Sequence, residues 1–108
     1  MHWYGDLYVG AQAMKEKSRI IRKIKSHKFI KDVFVITEAF NGYDLFDIYP
    51  ANVLMQRYFK NKEYQVIGIA KGYDEAIGLV QVIIEDLYCK RGIKNLRTYF
   101  EENGAGGI

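Results

Sequence analysis

Carboxylates crowd most closely around Asn41-Gly42, where Glu38, Asp44 and Asp47 flank a turn signal. Two carboxylates on one face of a hairpin can hold Mg²⁺ or divide the roles of general acid and general base. With Asn41-Gly42 as a two-residue type I′ loop, Phe40 faces Tyr43, Ile36 faces Asp47 and Val35 faces Ile48. Glu38 and Asp47 are then diagonal neighbours on one face, with Tyr43 and Tyr49 on the same side. A longer loop from Glu38 to Tyr43 is the alternative. Charges on a hairpin commonly serve to keep an exposed face wet, so no catalytic residue is assigned from them.

Other reactive types are sparse. Ser18 and Ser26 share one basic segment, and His27 follows Ser26 directly, where adjacent side chains point apart. That arrangement does not favour a Ser-His-Asp triad. Cys89 falls near an expected helix C-terminus, where the dipole disfavours a thiolate, so a buried or inert thiol is expected. His2, His27 and Cys89 do not make the usual four-ligand zinc site. Neither a metal nor a cofactor is expected.

Gly68-Ile-Ala-Lys-Gly72 lies between a strand pattern and a helix pattern, where phosphate loops occur. Its spacing fits neither a Walker loop nor a dinucleotide fingerprint. Asp74 and Glu75 would also occupy the positive end of the helix dipole and repel a phosphate. A turn at Gly72 and a cap at Asp74 account for these residues.

The clearest charged feature is a strip of Lys15, Arg19, Arg22 and Lys23, extended by Lys25, Lys28 and Lys31. Such a strip can bind a phosphodiester backbone. No Asn or Gln lies among these residues for base reading and no aromatic interleaves for stacking, so a solvated helix face is the plainer reading. Residues 1–31 carry eight Lys or Arg against Asp6 and Glu16, a net of +6, while residues 32–108 carry eight bases against eleven acids, a net of −3. An overall charge of +3 therefore conceals a basic N-terminal third on an acidic remainder, which bears on partners and not on fold.

The elements that position these residues follow from pattern. Leu7 to Val9 can begin or edge a strand. Ala11 to Lys28 reads as a helix, with Ala13, Met14, Ile20, Ile21 and Ile24 on one side. Val33–Thr37 and Leu45–Tyr49 make the hairpin, Pro50 ends it, and a short helix spans about Ala51 to Phe59. If the second hairpin strand and the strand Tyr64 to Ala70 are neighbours, they should run parallel through a right-handed crossover. Asp74 to Arg91 is rich in β-branched residues, yet its length and the closing Gly92 argue for helix. Its apolar positions cover most of the circumference, so burial on more than one side is expected. Asn95 to Phe100 forms a last turn.

The fold class expected is α+β: a small mixed sheet of three or four strands with an Asn-Gly hairpin, packed by two long helices and one short helix. Residues 1–102 read as one globular domain and 103–108 as a flexible glycine-rich tail. With 49% hydrophobic and 27% charged residues the chain is that of an ordinary globular protein. Nine tyrosines among 108 residues suit half-buried or contact positions. One cysteine rules out an intramolecular disulfide, and no apolar run reaches membrane-spanning length, so a cytoplasmic location is expected.

The run Tyr64 to Ile84, with Val-Ile-Gly-Ile-Ala-Lys-Gly-Tyr-Asp-Glu-Ala at its centre, resembles a group of short uncharacterised α/β proteins of anaerobic bacteria. The basic segment Lys15 to Lys25, the hairpin and Arg97 to Phe100 are placed similarly in that group. The resemblance implies a free-standing cytosolic domain and carries no function. From the residues themselves, the leading expectation is a non-catalytic protein that binds a protein partner or itself. Nucleic-acid binding by Lys15, Arg19, Arg22 and Lys23 is second, and a small enzyme using the hairpin carboxylates is third. No membrane contact and no small-molecule ligand are inferred.

Overall fold

Trp3 and Tyr4 are adjacent in sequence and both buried, so the strand that carries them must be covered on both sides. The computed structural model describes residues 1–39, 45–60 and 62–103. The Asn41-Gly42 turn, Asp44 and the glycine-rich end from 104 onward lie outside the described residues. Elements follow in the order β1 (His2–Val9), α1 (Ala11–Met14), α2 (Lys17–Lys25), β2 (Val33–Glu38) and β3 (Phe46–Pro50). A 3₁₀ turn (Ala51–Met55) leads to α3 (Arg57–Lys60), β4 (Gln65–Lys71) and α4 (Tyr73–Ile84). A π-helical turn (Glu85–Lys90) extends α4 before α5 (Leu96–Asn103) closes the described chain.

The four strands form one mixed sheet in the order β1-β4-β2-β3. β1 is parallel to β4, and β2 is antiparallel to both β4 and β3. The expected mixed α+β sheet is therefore present, with β4 buried on both faces at its centre. β3 and β4 run in the same direction but are not neighbours, because β2 lies between them.

Helices cover the sheet on both sides. On one, Ala13 of α1, Ile20 and Ile24 of α2, Leu54 of the 3₁₀ turn and Phe59 of α3 pack on Trp3, Val35, Val66 and Ile69. On the other, Ala76, Leu79 and Ile83 of α4, Leu87 of the π turn, and Leu96 and Phe100 of α5 pack on Tyr4, Ile36, Ile67 and Ala70. Each fully buried aliphatic side chain contributes about 1.5–3 kcal/mol by leaving water.

Four expectations need correction. The basic helix is interrupted at Lys15–Glu16, so α1 and α2 are separate, and Met14 turns out to solvent instead of joining Ile20 and Ile24. Glu16 breaks the run in a non-helical conformation, φ −128° and ψ 23°, and its carboxylate reaches Lys71 and Arg19. The hairpin register is shifted by one residue: Thr37 faces Asp47, Ile36 faces Ile48 and Val35 faces Tyr49. A one-residue slip exchanges faces, because side chains alternate with a period of two. Finally, α4 is buried along one side only, and Ile77 and Val82 are exposed.

The N-terminal cap of α4 also differs from expectation. Gly72, at φ 86°, turns the chain as predicted, but Asp74 makes no cap. Glu75, also in the first turn of α4, bonds outside its own helix. Its carboxylate accepts from the Lys71 N–H at 2.6 Å, the Gln12 N–H at 2.6 Å and the Ala13 N–H at 3.3 Å. One side chain thus ties the end of β4 to the free donors of α1.

Candidate interaction surfaces

The hairpin carboxylates do not converge. Asp47 shares a face with Tyr49, whose hydroxyl donates to it at 3.0 Å. Glu38 points to the other face, beside Phe46, Leu96, Arg97 and Phe100. The register shift separates the pair that a two-carboxylate site would need. Ser18, Ser26 and His27 are exposed on or just after α2, and no cluster of three His, Cys, Asp or Glu capable of holding a metal occurs among the described residues. Cys89, expected to be buried or inert, is exposed on the π turn.

A tyrosine network that periodicity did not reveal joins β1 to the C-terminal elements. The Tyr8 hydroxyl donates to Asp86 at 2.6 Å, and the Tyr4 and Tyr99 hydroxyls are 2.5 Å apart. Tyr4 stacks on Tyr8, with ring planes within 9°. Arg91 lies over the Tyr99 ring at 5.7 Å. Asp86 lies on the π turn and Arg91 directly follows it. Burial, then the bond to Tyr99, pushes the Tyr4 phenol up to about 12. Burial and Asp86 raise Tyr8 further, and burial and Asp47 push Tyr49 up to about 12. Burial raises Tyr64 as well.

Phenols raised in this way stay protonated at neutral pH and serve as hydrogen-bond donors, not as bases. Their linkage to folding has a definite sign: raised folded-state values mean that the stabilisation is complete below pH 10, the unfolded value, and is lost as pH climbs through about 12. A titration followed by tyrosinate absorbance and circular dichroism should show Tyr4, Tyr8, Tyr49 and Tyr64 ionising only with loss of structure. Ionisation of all nine tyrosines near pH 10 with the fold intact would refute this coupling.

Two surfaces remain after the network is accounted for. The first is the flank of α4. Tyr73, Ile77, Val80 and Ile84 fall within a sector of about 60° at helical spacing, a quarter turn from the buried residues Ala76, Leu79 and Ile83. Tyr88 of the π turn continues the line. Tyr73 is 54% exposed, Ile77 39% and Tyr88 45%. Beside them lie the half-covered Phe34, Phe46 and Ile48 of β2 and β3, and Tyr73 meets Phe34 edge-on at 5.7 Å. An open apolar depression lined by Leu45, Ile84, Tyr88 and Leu96 extends the band toward α5.

No family model, curated protein or solved structure matches this chain. Its surfaces therefore carry the functional argument.

The second surface is the α2–α3 layer on the opposite side of the sheet. Lys15, Arg19 and Arg22 are exposed and Lys23 is partly so. Lys15 bonds Gln12 and Arg19 pairs with Glu16 at 2.9 Å, so the strip is not uniformly free. The Lys71 ammonium, and Arg19 after it, hold the Glu16 carboxyl below the usual carboxylate range. α3 adds exposed Arg57 and Lys60 to the same layer.

Proposed function

We propose that the protein acts by binding, and that two copies of it pair through the flank of α4. The observation that carries this reading is the apolar line Tyr73, Ile77, Val80, Ile84 and Tyr88, together with the charges at its ends. Asp74 stands at its beginning, and Lys94 and Arg97 line the depression at its end. Two such helices packed antiparallel about a two-fold axis bring the acidic start of each beside the basic end of the other. An isologous contact of this kind closes on itself. Joining the basic α2 strip of one copy to acidic residues of α4 on another would instead unite opposite faces of the sheet, a head-to-tail contact that builds rings or filaments and not a two-fold dimer.

The reading belongs to a reducing cytosol, where the exposed Cys89 stays a thiol. Among the described residues no helix is long and apolar enough to cross a membrane. Sedimentation equilibrium at micromolar concentration should give the dimer mass. Ile77→Asp should weaken pairing at least a hundredfold, since it places an unpaired charge in the contact, and should leave the monomer folded because Ile77 is already part exposed. Asp74→Lys should weaken the dimer, and Lys94→Glu added to it should restore part of the loss. A wild-type protein that stays monomeric at low salt overturns the reading.

A further inference from the structure

Phe29 is 66% exposed, the most exposed of the large apolar side chains described, and the loop that carries it is tightly held. Asn52 grips the backbone of the next residue from both sides, accepting from the Ile30 N–H at 2.9 Å and donating to the Ile30 carbonyl at 2.8 Å. The Asp32 carbonyl accepts from the Gly72 N–H at 2.7 Å. His27 and Asp32, neither of them glycine, take left-handed φ values of 54° and 59° at the two ends of the loop. A single exposed ring is ordinary at a protein surface; what distinguishes this one is the anchored loop that carries it.

Its surroundings suggest a use. Arg22 and Lys25 of α2 line an open depression with Ser18, Ile21 and Ser26. Asn52 belongs to the 3₁₀ turn that leads into α3, where Tyr58 is 57% exposed. Lys62 lies over the Tyr58 ring at 4.7 Å. Exposed aromatic rings and cations from α2, its following loop and α3 therefore occupy one layer. Phe29 already neighbours Lys28 and Lys31 along the chain, while Tyr58 is added by the fold, because Ile24, Ile30 and Phe59 pack into the same core on one side of the sheet.

We propose that this layer binds single-stranded nucleic acid, with Arg19, Arg22 and Lys25 meeting phosphates while Phe29 and Tyr58 stack on bases. Cations that track a backbone beside ring faces for the bases are the arrangement that single strands require. A duplex keeps its bases stacked and offers these rings nothing. With no Asn or Gln among the basic residues of α2 to read base edges, recognition is independent of sequence. The layer lies on the opposite face of the sheet from the α4 flank, so binding does not depend on dimerisation.

Fluorescence anisotropy with labelled oligo(dT) and oligo(U), a duplex of equal length, and heparin tests the proposal. At about 50 mM salt both single strands should bind, with affinity falling on added salt by about 0.7 log units per phosphate contact and decade of salt. Phe29→Ala and Tyr58→Ala should each weaken single-strand binding about tenfold and leave heparin binding unchanged. Arg19→Ala with Arg22→Ala should reduce the salt dependence as well as the affinity. The same set measured in the Ile77→Asp background separates this result from the fate of the dimer. Absence of binding, equal affinity for duplex, or full affinity in both aromatic variants with unchanged melting temperatures would each overturn the proposal.

Discussion

Replacing Glu75 with alanine is expected to lower the unfolding free energy by about 2–3 kcal/mol, a large share of what a domain of this size has. The carboxylate accepts from three backbone donors on two separate elements. Without it, two N–H groups at the start of α1 and one at the end of β4 lose their charged partner. Gly10 should behave as the other half of the same device. A methyl group there would lie 2.4 Å from Glu75 Oε2, 2.5 Å from its Cδ and 2.7 Å from its Cγ, so Gly10→Ala must displace the side chain and break its bonds. Gly10 itself has φ −64° and ψ 157°, a conformation open to any residue. Gly10→Ala should therefore cost about 2 kcal/mol alone and little in the Glu75→Ala background, a coupling that urea unfolding of the four proteins measures directly. Simple additivity of the two losses would show that Glu75 is not what Gly10 makes room for.

The second large effect is expected at Gly68, in the segment that looked like a phosphate loop. A Cβ there would stand 3.1 Å from Leu79 Cδ2, 3.3 Å from Ile36 Cδ1 and 3.3 Å from the Tyr8 carbonyl oxygen. The glycine lets α4 approach the sheet, and its position inside β4 beneath α4 needs no ligand to explain it. Gly68→Ala should cost about 1–2 kcal/mol and Gly68→Val about 3 kcal/mol or more, because overpacking a closed site shifts backbone as well as side chains. The valine variant should also push α4 outward and strain the Tyr8–Asp86 bond, so Tyr8 should ionise at lower pH than in the parent. A Gly68→Val protein with the parent's stability and alkaline titration would contradict this account.

These two glycines mark how far the sequence could be read. The passage from Tyr64 through Gly72 to Gly92 carries its own punctuation, and it folds as strand, left-handed turn and helix because the signals are local. The hairpin strands and the amphipathic Lys17–Lys25 were legible for the same reason. The clamp made by Glu75 was not legible because its partners Gln12 and Ala13 lie more than sixty residues away and are backbone groups that no side-chain pattern announces. The hairpin register failed by one residue, and with a period of two that error sent Glu38 and Asp47 to opposite faces. The basic strip was visible in Lys15, Arg19, Arg22 and Lys23. Phe29 stood in view between Lys28 and Lys31, but Tyr58 did not, because it belongs to α3, which shares that side of the sheet only in the folded chain. The flank of α4 was hidden by its composition, since β-branched residues all round a helix read as full burial when no neighbour is in view.

The pairing of β1 with β4 has a bearing on how the chain assembles. β1 is made well before β4, its one strand partner among the described residues, which begins at Gln65. The helices α1 and α2 likewise pack on residues of β4. Until that strand has been synthesised, Trp3, Tyr4, Ile20 and Ile24 have no complete surface to cover. A topology whose first strand waits for its last raises the mean separation of contacts and slows folding relative to a meander of the same length. Premature termination before Lys71 should therefore yield a chain with exposed apolar segments and a marked tendency to aggregate, while release beyond α4 permits collapse around both faces of β4 in one cooperative step.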